Sequence, residues 1–137
     1  MPRPTIRHIA LFARDPKAVA EFYRDVFEME ITDSREKAEG SSYCVSDGYL
    51  TLVILPQRLD GSAAHGLNHF GFLVENSAEI RKRITDRGLV EPGKRPADRL
   101  YAEYRAVDPE NNWFDISENG YDRRRAEARD DKQPVSV

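Results

Sequence analysis

Two periodicities run along this chain, and the pair of them occurs twice. Residues 8–15, His-Ile-Ala-Leu-Phe-Ala-Arg-Asp, read as an apolar strand that closes on a helix-capping residue. At an offset of 61, residues 69–76, His-Phe-Gly-Phe-Leu-Val-Glu-Asn, repeat that form. Each run leads into a helical pattern. After Asp15, with Pro16 at the first helical position, Val19, Phe22, Tyr23, Val26 and Phe27 recur at helical spacing. After Asn76 the spacing predicts a shorter, more charged helix, with Ala78, Ile80 and Ile84 inward and Gly88 as its stop.

The offset of 61 returns in Tyr43 and Asp47 against Tyr104 and Asp108. Strand-like runs lie around them, at 42–46 and 49–55 in the first copy and at 101–107 and 113–117 in the second. Turn residues join each pair, at 46–48 and at 108–112. Each half therefore reads as strand, helix, then three strands. The helices are too few for a doubly wound fold, so the class expected is α+β, built from two βαβββ modules. Module one takes about 5–56, a small and polar linker about 57–66, and module two about 67–120, as one domain over 1–120. The charged remainder, 121–137, is expected to fray or be disordered.

Composition mainly removes function classes. Hydrophobic residues make up 39% and charged residues 33%, which suits an ordinary globular protein. The net charge of −3 comes without a basic stripe, so no nucleic-acid partner is expected. The N-terminus lacks the apolar core of a secretion signal, and no apolar run approaches the length of a membrane helix. Cys44 is the only cysteine, so no internal disulfide can form, and a reducing, cytoplasmic setting is expected.

The chemistry gathers on three residues. Alternation puts His8 on a face with Ile6, Ala10 and Phe12, and His69 on a face with Gly71 and Leu73. The small residue two positions after each histidine leaves room beside the imidazole. If the modules pair by pseudo-symmetry, the two histidines approach each other across a shared concavity. Asp115 stands mid-strand between Phe114 and Ile116, where an aspartate is depleted and costly to bury unpaired. A cation would offset that cost. Two imidazoles and one carboxylate suit divalent iron or manganese, with positions left open for substrate and oxygen. Other candidates carry less: His65, Tyr104 and Arg105 for catalysis, and Tyr43, Tyr49 and Trp113 for lining the concavity and binding substrate. His65 sits four residues before His69, but Gly66 and the loop-to-strand context break the helix that an i,i+4 zinc pair needs.

These residues resemble the vicinal oxygen chelate superfamily of glyoxalases, extradiol dioxygenases, fosfomycin-resistance enzymes and bleomycin-binding proteins. The resemblance rests on His8-Ile-Ala-Leu with Asp15, residues 21–27, His69-Phe-Gly-Phe, and residues 108–115, and it covers about 5–120. It implies a concave, curved sheet formed by the two modules, with His8, His69 and Asp115 at the metal-ligand positions. Asp115 departs from the glutamate usual there, and Glu28 from a common glycine; Glu118 is a fallback carboxylate pointing to the opposite face. Glyoxalases of the family have a fourth ligand in the first module, where alignment by the offset places Ile54, or Leu52 if the longer second turn is closed. Both are aliphatic, so the pattern resembles the three-ligand dioxygenases. The resemblance thus implies an Fe(II) dioxygenase-like oxidoreductase on a small oxygen-bearing substrate, with Mn(II), Zn(II) or Ni(II) as other metals. A lyase or isomerase on the same metal, or a metal-free drug-binding protein, are the alternatives. Many relatives share modules between chains, which implies a homodimer.

Overall fold

The computed structural model describes residues 2–38, 40–58, 66–97, 99 and 101–119. The described residues fall into two compact units: one within 8–68, and a second formed by 69–119 together with 2–7. The fold is α+β, and the same βαβββ order is read twice. The elements are β1 (Thr5–Ala13), α1 (Pro16–Phe27), β2 (Glu30–Lys37), β3 (Gly40–Ser46) and β4 (Thr51–Pro56), then β5 (Gly66–Leu73), α2 (Ser77–Asp86), β6 (Gly93–Lys94), β7 (Tyr104–Val107) and β8 (Trp113–Ser117).

In the first unit the strands lie in the order β2-β3-β4-β1, with β4 parallel to β1 and the other pairs antiparallel. Helix α1 starts where the sequence predicts. The Asp15 carboxylate accepts the Ala18 N–H at 3.0 Å and Pro16 takes the first turn. The helix ends at Glu28, which is left-handed (φ 59°) and donates its N–H to the Tyr23 carbonyl. Its inward face packs Ala20 and Val19 against Ala13, Val45 and Ile54, with Tyr23, Ile31 and Tyr43 alongside. The apolar stripe read from the sequence is wider than that face: Phe22, Val26 and Phe27 are exposed. The other face of this sheet carries His8, Ala10, Thr51, Val53, Ser42 and Cys44, all buried.

The second unit repeats the plan as β5-β8-β7-β6, with β8 parallel to β5 and the rest antiparallel. One face carries an aromatic cluster in which Phe72 meets Phe70 and Phe114 edge-on, at 5.7 and 5.8 Å between ring centroids. Helix α2 lies on this side, because the Arg81 guanidinium sits 4.2 Å above the Tyr104 ring. Asn76 caps α2 by accepting the Glu79 N–H at 3.1 Å, and Gly88, at φ 79°, follows its end as expected. Two sequence expectations need correction. Ala78 is exposed, because the inward stripe begins instead at Ser77, which is buried, and continues through Ile80 and Ile84. The last hairpin is shorter than 101–107 predicts, since β7 begins only at Tyr104.

Candidate functional site

Pairing on either side of β8 builds the site. Antiparallel β7 sets Arg105 opposite Asp115, while parallel β5 sets Gly71 on its other side. His69, two residues before Gly71, shares that face. Asp115 is 1% exposed, so its charge is taken out of water and must be compensated. Arg105 does this with a fork: Nε donates to Oδ1 at 2.7 Å and Nη2 to Oδ2 at 3.2 Å. His69 Nε2 lies 3.1 Å from Asp115 Oδ2 and 3.3 Å from Arg105 Nη2.

One nitrogen cannot satisfy both neighbours alike. Protonated, Nε2 donates to Asp115; bare, its single lone pair accepts from Arg105 and Nε2 gives the carboxylate no donor. The second tautomer is the one a metal needs. Two cis ligands at about 2.1 Å from a metal are about 3.0 Å apart, close to the His69–Asp115 separation. An imidazole and a carboxylate, both nearly buried, therefore fit a divalent cation in donor type and spacing. Imidazole and carboxylate donors of this kind suit such an ion, and His8 of the first unit is a further buried imidazole.

Arg105, a catalytic candidate on sequence, is the partner that makes buried Asp115 tenable. A hairpin that closes symmetrically on 108–112 pairs residues 105 and 115, but that closure is set by the strand register and not by the spacing. His8 is 2% exposed on β1, facing the Ala10 and Val53 side of the first unit. Trp113 is half-exposed on the Asp115 face, its ring 5.5 Å from the Arg105 guanidinium. Tyr43 and Tyr104 belong elsewhere. Tyr43 packs into the core beneath α1, and Tyr104 lies beneath Arg81 of α2, because each is one residue out of phase with the site face. Tyr49 is exposed in its turn. His65 falls outside the described residues. Glu118 is no fallback ligand: its carboxylate accepts the Ser77 N–H at 2.8 Å, tying the end of β8 to the start of α2.

The first-module position also needs correction. Asp115 pairs with Gly71, and the matching partner of Ala10 is Val53, not Leu52 or Ile54. The turn closed by the Asp108 N–H to the Asn112 carbonyl is one residue longer than that closed by Asp47 and Leu50, so the repeat slips by one across it. Ile54 points into the α1 core instead. Val53 is aliphatic too, so a carboxylate is still missing from that place.

Comparison with known proteins agrees with this architecture. The family model described as Glyoxalase/Bleomycin resistance protein/Dioxygenase superfamily matches residues 5–116. Among solved structures, a hypothetical protein from Bacillus halodurans C-125 is similar with a TM-score of 0.62 at 14% identity, covering 84% of this chain and 94% of that one. The methylmalonyl-CoA epimerase of Streptomyces coelicolor follows at TM-score 0.57 and 21% identity, covering 85% and 96%. The epimerase of Mycobacterium tuberculosis gives 0.60 at 11% identity, covering 81% and 85%. No curated protein matches the sequence. With the family model covering most of its length, the chain belongs to the Glyoxalase/Bleomycin resistance protein/Dioxygenase superfamily.

Proposed function

We propose that this chain is a metal-dependent enzyme acting on a small oxygen-bearing substrate, with His8, His69 and Asp115 holding a divalent cation. The observation that carries the reading is the nearly buried His69–Asp115 pair, whose donor atoms are 3.1 Å apart. When bound, the cation supplies Lewis-acid polarisation of a substrate oxygen and lowers the pKa of a hydroxyl beside it. Arg105 holds the Asp115 carboxylate in one orientation and cancels its charge. That cancellation favours an anionic substrate, because a divalent charge among neutral imidazoles is then left uncompensated. Charge stabilisation of this kind suits an isomerase or lyase, the class to which the similar epimerases belong by name. A second reading, an Fe(II) dioxygenase, is favoured by Val53: three protein ligands leave up to three of six positions open.

Elemental analysis and titration with Fe(II), Mn(II), Zn(II) and Ni(II) test the centre. Wild type should bind one ion per site, and His8→Ala, His69→Ala and Asp115→Asn should each lose it. Wild type that takes up none of the four metals would sink the reading and leave a metal-free ligand-binding protein. Oxygen consumption by the Fe(II) form would select the dioxygenase; solvent deuterium entering the substrate without oxygen would select the isomerase or lyase.

A further inference from the structure

We infer that Arg105 and Trp113 form an anchor for the carboxylate of a planar substrate, beside the His69–Asp115 pair. This deepens the reading above and rests on it for the claim that this face receives substrate. A guanidinium has five N–H groups, and neutralising Asp115 uses only one of its edges. Nε and Nη2 make that fork, and Nη2 also faces His69. Among the described residues none of the bonds made by Arg105 uses Nη1, which keeps two donors for an incoming acceptor. The side chain is 23% exposed and Asp115 beneath it is closed off, and Nη1 is not among the buried polar atoms left without a partner.

Trp113 supplies the second half. Register places it opposite Val107, on the face of Arg105 and Asp115. It is 48% exposed, an unusual loss of burial for so large an apolar ring, and it lies beside the guanidinium. A flat group could lie along the indole while its carboxylate meets Nη1, pairing apolar contact with a charge-assisted hydrogen bond. An arginine serving only as counter-ion to Asp115 would require neither the unused edge nor the open ring.

Because Trp113 is the only tryptophan, its emission reports on this place directly. Chelator-treated, metal-free protein would be titrated with benzoate and with benzamide, which share a shape and differ in charge. Benzoate should give a saturable change, with benzamide weaker by about tenfold or more. Arg105→Gln should erase that preference, while Arg105→Lys, which keeps the charge without the fork, should retain part of it. If Arg105→Gln does not fold, Trp113→Leu followed by calorimetry should reduce benzoate to the affinity of acetate. Equal binding of the two probes, no saturable response, or a preference that survives Arg105→Gln or Trp113→Leu would overturn the proposal. The measurement contains no metal, so failure of the metal centre leaves its outcome intact, and failure of the anchor leaves metal uptake to be judged separately.

Discussion

Asp115 and Glu28 show how single residues hold unfavourable states in this chain. Asp115 is an ionised side chain at 1% exposure, made tenable by the bidentate guanidinium of Arg105. Asp115→Asn keeps the shape but turns an amide toward that guanidinium and leaves a positive charge unpaired. The loss should be about 1–3 kcal/mol in urea unfolding, below the figure for a fully buried pair because Arg105 is partly solvated. Glu28 pays a backbone cost instead, since a side chain in the left-handed region is disfavoured by about 1–2 kcal/mol. Glu28→Gly removes that strain but loosens the unfolded chain, so a net gain of about 0.5–1 kcal/mol is expected as a higher urea midpoint. The sequence flagged both residues, Asp115 as an aspartate out of place and Glu28 as a departure from glycine. The cation nearest Asp115 was not evident, because strand pairing sets it.

At the scale of elements, the turn at 108–112 decides which side chains reach the site. Asp108 organises it, accepting the Glu110 N–H at 2.8 Å, the Asn112 N–H at 2.9 Å and the Asn112 side-chain amide at 2.8 Å. The Asn112 amide, then its backbone N–H, hold the Asp108 carboxyl below its ordinary value of 3.8. A lowered folded-state pKa means that its contribution is fully present above the ordinary value and is lost as pH falls through the lower one. Asp108→Ala should therefore speed amide exchange across 108–112 near neutral pH, and the difference from wild type should shrink at acid pH below that window. No change in exchange at neutral pH would show that the turn is held by the strands alone. The length of this turn, one residue beyond its counterpart, makes Val53 the match of Asp115. An offset constant along the chain could not reveal that slip, because an inserted residue shifts only the strand that follows it.

For the whole molecule, the expectations concern assembly and linkage. No helix among the described residues is long and apolar enough to cross a membrane. Phe22, Val26 and Phe27 on α1, with Leu67 and Val90 elsewhere, remain exposed, an apolar load that association would relieve. The proposed state is a twofold homodimer, so light scattering should give twice the chain mass of 15.7 kDa. A single-chain mass at micromolar concentration would contradict it. Metal should also act on stability, since an ion that binds only the folded state adds about 2.7 kcal/mol at a hundred times its Kd. A chelator should then lower the unfolding midpoint of wild type and leave that of His69→Ala unchanged.

The sequence by itself determined the repeat, both helices with their caps at Asp15 and Asn76, and the face on which each histidine stands. These are local matters: period, capping chemistry and alternation act over a few residues and need no distant partner. Tertiary structure alone decided what cross-strand neighbours settle. It placed Arg105 on Asp115, turned Tyr43 and Tyr104 beneath the helices, gave Glu118 to the start of α2, and put Val53 rather than Leu52 or Ile54 in the matching position. Each of these depends on register, and a register that slips by one residue carries every later side chain to the opposite face.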